Sequence, residues 1–159
     1  MSSIILQFVG AADLGGKIIN WFDHGPFAHV DTVMEDGSLL GARSDVWAGV
    51  AAGVQIRPHD YMPFANPVRA VLDAPDTVVG AYYTFVQAQI GKPYDMTGVV
   101  GFAVGRDWRN TNAWFCSELV AAALEESGFF EYSLIQPANK IAPDDLALLC
   151  SAFCDMETP

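Results

Sequence analysis

Basic residues are scarce in this chain. Eight lysines and arginines stand against 19 acidic residues, a formal charge of −11. The basic residues are scattered singly, so no patch exists of the kind that a phosphate backbone or an acidic membrane surface selects, and nucleic acid is excluded as an expected partner. Long apolar runs are missing too: no stretch reaches the length needed to cross a bilayer. Met1-Ser2-Ser3 carries no basic residue before Ile4-Ile5-Leu6, so neither a signal peptide nor a membrane anchor is expected, and the chain is read as cytoplasmic or virion-associated. Cysteine is rare, and three is an odd number, which argues against a disulfide framework. Cys150 and Cys154 would share one helix face, but no His or Cys nearby in sequence completes a metal set. They read as half-buried thiols, and no metal or cofactor is expected. Repeats, low-complexity tracts and Ser/Gly linkers are absent. With 52% hydrophobic and 17% charged residues, the chain is globular rather than disordered. Its length suits one domain with one core, residues 1–159.

What is present is a run of short strands followed by helices. Ile4 to Val9 is a strand or an apolar lead-in, and Ala12 to Phe22 can form a helix broken by His24-Gly25-Pro26. His29 to Met34 is β-branched and extended, Glu35-Asp36-Gly37-Ser38 is a hairpin turn, and Leu39 to Arg43 returns. Val54 to Arg57 and Val68 to Leu72 complete an antiparallel meander. Asp76 or Thr77 opens a helix to about Ile90, ended by Gly91 and Pro93, with Val79, Tyr82, Tyr83 and Val86 at helical spacing. Thr97 to Gly105 is Gly-rich and ambiguous. Phe115 to Ser127 is the strongest helix, with Leu119, Val120, Ala123 and Leu124 as its apolar stripe and Gly128 after it. Pro143-Asp144-Asp145 opens a last helix. The fold class is α+β, an antiparallel sheet of about five strands packed on the helix that begins at Cys116.

Cys116 carries the chemistry. A thiol in the first turn of a helix meets free N–H donors and the positive end of the helix dipole, a setting that favours the nucleophilic thiolate. Such a sulfur needs a base within hydrogen-bonding reach. Of the three histidines, His24 lies in a Gly-Pro loop and His59 follows Pro58, both ordinary surface positions. His29 begins a strand in the middle of the β region, where the backbone fixes an imidazole better than a loop does.

Phe27-Ala28-His29-Val30-Asp31-Thr32-Val33, the hairpin after it, Gly91-Lys92-Pro93-Tyr94-Asp95 and Phe115-Cys116-Ser117-Glu118-Leu119-Val120 occur in that order. Together, from about Phe27 to Leu146, they resemble the circularly permuted NlpC/P60 group of papain-like cysteine hydrolases, the YiiX-like proteins and related phage enzymes. In that permuted order the His strand precedes the Cys helix. The resemblance implies that Cys116 is the nucleophile, His29 the general base, and Tyr94 a hydroxyl near the nucleophile that helps stabilise the oxyanion beside the Cys116 N–H. Many relatives carry a third polar residue about a dozen positions after the His. Here that count lands on Gly41-Ala42, which can orient nothing. Asp31 is the favoured substitute, because residues two apart on a strand point to one face. Ser44 and Asp45, just past the second strand, and a Cys/His dyad without a third member are the alternatives.

The resemblance further implies a cysteine amidase or peptidase that cleaves an amide through a thioacyl intermediate, with peptidoglycan stem peptides as the natural substrate. A lipid acyl hydrolase or acyltransferase of the same superfamily would use the same Cys and His. A non-catalytic binding or virion structural module would account for the missing polar residue. Gly98 to Trp108 could serve as a lid or a substrate wall.

Overall fold

The computed structural model describes residues 2–10, 25–64, 66–103 and 112–159. The helix expected over Ala12 to Phe22, His24, and the part of the Gly98–Trp108 segment beyond Ala103 lie outside them. The chain is α+β, with a six-stranded antiparallel sheet in the order β4-β3-β2-β1-β5-β6. The strands are β1 (Ser2–Val9), β2 (His29–Val33), β3 (Leu39–Arg43), β4 (Gly53–Arg57), β5 (Val68–Ala74) and β6 (Met156–Glu157). The described helices are α1 (Asp76–Ala88), α2 (Met96–Ala103), α3 (Cys116–Glu126) and α4 (Pro143–Ser151), with a short 3-10 turn at Ala138–Lys140.

β1 is the axis of the sheet rather than a lead-in. It pairs with β2 on one edge (Phe8↔Val30) and with β5 on the other (Ser2↔Ala74 to Phe8↔Val68). The buried stretch of β1 from Leu6 to Val9 needs both edges bonded, and the chain leaves the β2-β3-β4 meander and crosses to the far side of β1. The meander expected across all strands is therefore interrupted after β4. The sixth strand, against an expectation of about five, is the two-residue β6 on the edge of β5, too short to show any alternation in sequence.

The β2–β3 hairpin forms where its Asp-Gly dipeptide predicts. Gly37 takes φ 82°, the Ser38 N–H donates to Asp36 Oδ1 at 2.9 Å, and the Met34 N–H donates to the Ser38 carbonyl at 2.8 Å.

One face of the sheet carries the core. Ile4, Leu6, Phe8, Val30, Leu40, Ala42, Ala70 and Leu72 meet Val79, Tyr82 and Val86 of α1, Leu119, Val120, Ala123 and Leu124 of α3, and Leu146 of α4. Thr32 belongs to this face as well. Its hydroxyl bonds the Tyr82 hydroxyl at 2.7 Å inside the core, so neither buried polar group is orphaned. Strand alternation then sends His29 and Asp31 to the opposite face. All five residues of β2 are buried; on the second face Tyr61, from the segment after β4, reaches Asp31.

Among the described residues, no helix is long and apolar enough to cross a membrane.

Candidate active site

The Cys116-Ser117-Glu118 triplet is explained by the start of α3. Phe115 is extended at the N-cap (φ −103°, ψ 170°), and its N–H donates to Glu118 Oε2 at 3.4 Å, which returns the third residue of the helix onto the cap. Ser117 Oγ donates to the Ile141 carbonyl at 2.7 Å, in full burial, and ties the helix start to the 3-10 turn ahead of α4. Cys116 is thereby the first helical residue, 3% exposed, where the backbone N–H groups of the first turn have no partners within the helix.

Two short ladders bring Tyr94 to the same place. The Val54 N–H donates to the Lys92 carbonyl, and the Gly91 N–H to the Val54 carbonyl, both at 2.9 Å, which fastens the segment to β4. Gly53, at φ 146°, allows this approach, since a Cβ there would overlap the Lys92 carbonyl. Tyr94 then forms a parallel bridge with Trp114, two residues before Cys116, and the Asp95 N–H donates to the Trp114 carbonyl at 3.0 Å. Asp95 itself caps α2, accepting the Gly98 N–H on Oδ1 at 2.7 Å.

His29 is the first residue of β2 and is 2% exposed. Its Nε2 lies 2.8 Å from Asp31 Oδ1. The ring N–H is not aimed along that line, so the contact is a close ion pair rather than an aligned hydrogen bond. The Cys116 thiol lies close enough to act on the same imidazole through its charge. Burial alone would favour neutral imidazole. Asp31 first and then Cys116 outweigh it and raise the His29 pKa from 6.5 to about 9. Burial works against the Asp31 carboxylate in turn, but His29, Arg43 and Arg57 hold its pKa below the ordinary carboxylate value. Burial and the nearby Cys116 push the Tyr94 hydroxyl well above its ordinary range, so it stays protonated and able to donate.

Gly41 has a use at this site. The β2–β3 register, one step beyond Thr32↔Leu40, sets it opposite Asp31. A Cβ at Gly41 would overlap Asp31 Oδ1. Gly41 thus serves as space for a carboxylate supplied by β2.

The sequence expectations divide accordingly. His29, Asp31, Cys116 and Tyr94 are brought together. Asp45 is not at His29: its Oδ1 accepts from Arg43 Nε at 2.7 Å. His59 is exposed. Cys150 is buried, and burial pushes its thiol up to about 12; the half-buried Cys154 thiol donates to the Cys150 carbonyl at 3.6 Å. Among the described residues, no group of three or more His, Cys, Asp or Glu could hold a metal ion.

Three residues at the site went unnoticed in the sequence: Arg43, Arg57 and Tyr61. Arg43 Nη1 donates to Tyr61 Oη at 2.8 Å, and Tyr61 Oη donates to Asp31 Oδ2 at 3.4 Å. Arg43 and Arg57 both lie over the Tyr61 ring, at 5.2 and 5.5 Å from its centroid. Arg43 and Arg57 end β3 and β4 on the face that Gly41 shares with Asp31, so strand period with register could have found them. Tyr61, in the loop after β4, carries no such signal.

Together these groups can supply a sulfur nucleophile, a base that retains its proton at neutral pH, a carboxylate that stabilises the protonated base, and N–H and O–H donors beside the sulfur. Comparison of the chain with family models, with curated proteins and with solved structures finds no match.

Proposed function

We propose that the chain is a thiol hydrolase with a permuted papain-like fold, cleaving an amide bond, with peptidoglycan stem peptides or related peptides as substrate. The observation that carries this reading is the buried His29 imidazole held between the Asp31 carboxylate and the Cys116 thiol at the start of α3. The order of the His29, Tyr94 and Cys116 segments, the one the permuted hydrolases share, supports it and rests on the residues alone.

The thiol proton moves to His29, giving a thiolate–imidazolium pair that Asp31 stabilises. Sulfur attacks the carbonyl carbon, a C–S bond forms, and the carbonyl π electrons become an oxyanion. The Cys116 backbone N–H and the Tyr94 hydroxyl are the donors for that charge. The oxyanion collapses, the C–N bond breaks, and the His29 proton passes to the leaving nitrogen. Water then adds to the thioester while His29 takes its proton. The C–S bond breaks, the acid departs, and the thiol is restored.

Turnover of murein stem peptides by the wild-type protein and its loss in Cys116→Ala is the expected result, and full activity in Cys116→Ala overturns the reading. Iodoacetamide separates the hydrolase from a non-catalytic module. Labelling of Cys116 ahead of Cys150 and Cys154 at neutral pH supports the enzyme, and equal, slow labelling at all three supports the module.

A second reading, a lipid acyl hydrolase or acyltransferase, is favoured by one feature. A groove of about 810 Å³ lined by Leu134, Ile135, Ile141, Leu148 and Leu149 adjoins the 3-10 turn to which Ser117 is tied. An alkyl chain fits such a lining. Acyl esters turned over in place of murein peptides would decide for it.

A further inference from the structure

We propose that Tyr61 and Arg43 form a positioning relay behind Asp31: the Tyr61 hydroxyl holds Oδ2 so that Oδ1 stays against His29, and Arg43 fixes that hydroxyl in place. The proposal rests on His29 acting as the base for Cys116 and extends the site by two residues that touch neither the sulfur nor a substrate.

The geometry runs in one chain of contacts. Asp31 Oδ1 faces His29 Nε2 at 2.8 Å, Oδ2 accepts from Tyr61 Oη at 3.4 Å, and Tyr61 Oη accepts from Arg43 Nη1 at 2.8 Å. Arg43 is itself anchored at its other end, Nε to Asp45 Oδ1 at 2.7 Å. A guanidinium is a rigid fork, so fixing Nε on one carboxylate fixes where Nη1 points. Asp31 cannot be held by its own strand alone. Gly41 opposite contributes no side chain to hold the carboxylate, whose Oδ1 fills the space that a Cβ there would take. Tyr61 holds the other carboxylate oxygen from the loop after β4. The ring is kept there by the Arg43 and Arg57 guanidinium groups above it and by edge contacts with Trp47 and Phe64 at 6.2 and 5.4 Å between centroids. A tyrosine hydroxyl suits the task because burial keeps it protonated across the working pH range.

The charged and titratable groups facing Asp31 and His29 come from every element packed around them. They are Arg43 at the end of β3 with Asp45 beyond it, Arg57 at the end of β4, Tyr61 in the following loop, and Cys116 at the start of α3. Arg57 is 1% exposed, and among the described residues its Nε and Nη2 have no hydrogen-bond partner; Asp45 Oδ1 is 4.0 Å from Nη2. Its part is charge and stacking, whereas Arg43 makes the directed bond.

The relay is tested by a two-by-two set of full-length proteins: wild type, Tyr61→Phe, Arg43→Lys and the double variant. Each is followed by NMR titration of the His29 ring and by kcat and KM on whichever substrate the wild type turns over. Tyr61→Phe is expected to lower the His29 midpoint from about 9 toward 6.5, because a carboxylate with one tether gone turns off the imidazole. It is also expected to lower kcat about tenfold, the equivalent of one lost hydrogen bond, with KM unchanged. Arg43→Lys keeps the charge and loses the fork, so it moves the midpoint the same way by less. The double variant should match Tyr61→Phe alone, because Arg43 acts through the hydroxyl that is already gone. An unmoved His29 midpoint in Tyr61→Phe, or additive effects in the double variant, overturns the relay. The titration does not need turnover. A wild type that turns over nothing while its His29 midpoint still follows the expected pattern keeps the relay and removes the hydrolase. Turnover with a midpoint indifferent to Tyr61 keeps the hydrolase and removes the relay.

Discussion

Cys116 and Cys150 are buried almost equally, at 3% and 2% exposure, and both lie on helices that pack against the same core. Burial therefore does not distinguish a reactive thiol from an inert one. Their surroundings do. Cys116 opens α3, among N–H donors, with an imidazole and its carboxylate on one side. Cys150 is the next-to-last residue of α4, at the end where the helix dipole disfavours an anion, and its thiol is pushed up to about 12 by burial and then by Cys154. Under the proposed function, the same sulfur is a nucleophile where the chain turns into a helix and a small hydrophobic residue where it turns out of one.

The largest expected effect breaks this comparison directly. Cys116→Ala should reduce turnover by on the order of 10³-fold or more, as removal of a nucleophile does. Cys150→Ala should leave turnover intact and cost about 1 kcal/mol of stability through the small cavity it leaves. Steady-state kinetics and chemical denaturation of the two variants, run side by side, check the pair. Equal losses of activity would mean that the helix end does not matter.

Asp31→Asn comes next. The amide keeps the shape and removes the charge that opposes burial at His29. The His29 midpoint should fall from about 9 to below the ordinary imidazole value of 6.5, since desolvation then dominates. With the thiolate–imidazolium pair no longer favoured, kcat/KM should fall roughly 10²- to 10⁴-fold, in the range seen when the carboxylate behind a catalytic imidazole is neutralised. A pH–rate profile of this variant with the wild-type alkaline limb would exclude Asp31 as the orienting group.

How much of this was legible in the sequence differs from residue to residue. The helix of Cys116, the strand of His29 and the Asp-Gly hairpin were readable because each is a local pattern: apolar spacing, β-branching, a turn dipeptide. The i, i+2 relation of His29 and Asp31 was readable for the same reason. The use of Gly41 was not, because it depends on which residue of β3 the register sets against Asp31, and two strands of five residues fit several registers. The eight-residue β1 looked ambiguous because a short apolar run reads alike as strand or lead-in until both its partners are known. β5 lies far along the chain, so its return to β1 left no local mark. Tyr61 reaches the site from an irregular loop, where no period predicts direction.

Stability at alkaline pH separates the two regions by window rather than by size. His29 has a folded pKa raised above its unfolded value, so its contribution is fully present below pH 6.5 and lost as pH rises through about 9. The interaction is shared with Asp31 and is counted once, on the order of a few kcal/mol. Cys150 has a folded pKa raised from 9 to about 12, so its share is intact below pH 9 and lost only as pH climbs toward 12. Thermal melts between pH 6 and 11 should fall in two stages. Asp31→Asn should flatten the first stage and Cys150→Ala the second. A single stage removed by either variant alone would show that the two groups are not independent.

The smallest effect sharpens the comparison through two glycines. At Gly41 a Cβ would overlap the Asp31 carboxylate, which Tyr61 and His29 hold from either side. Gly41→Ala should cost about 1–2 kcal/mol by overpacking and lower kcat less than tenfold as Asp31 shifts off the imidazole. Gly80 lies within α1, exposed, with nothing within 4 Å of an added Cβ. Gly80→Ala should raise stability by about 0.5–1 kcal/mol through helix propensity and leave the kinetics untouched. The same added methyl thus changes sign with its surroundings, as the same thiol does. If Gly41→Ala kept the wild-type His29 midpoint, the space opposite Asp31 would be incidental, and the carboxylate would be held by Tyr61 and Arg43 alone.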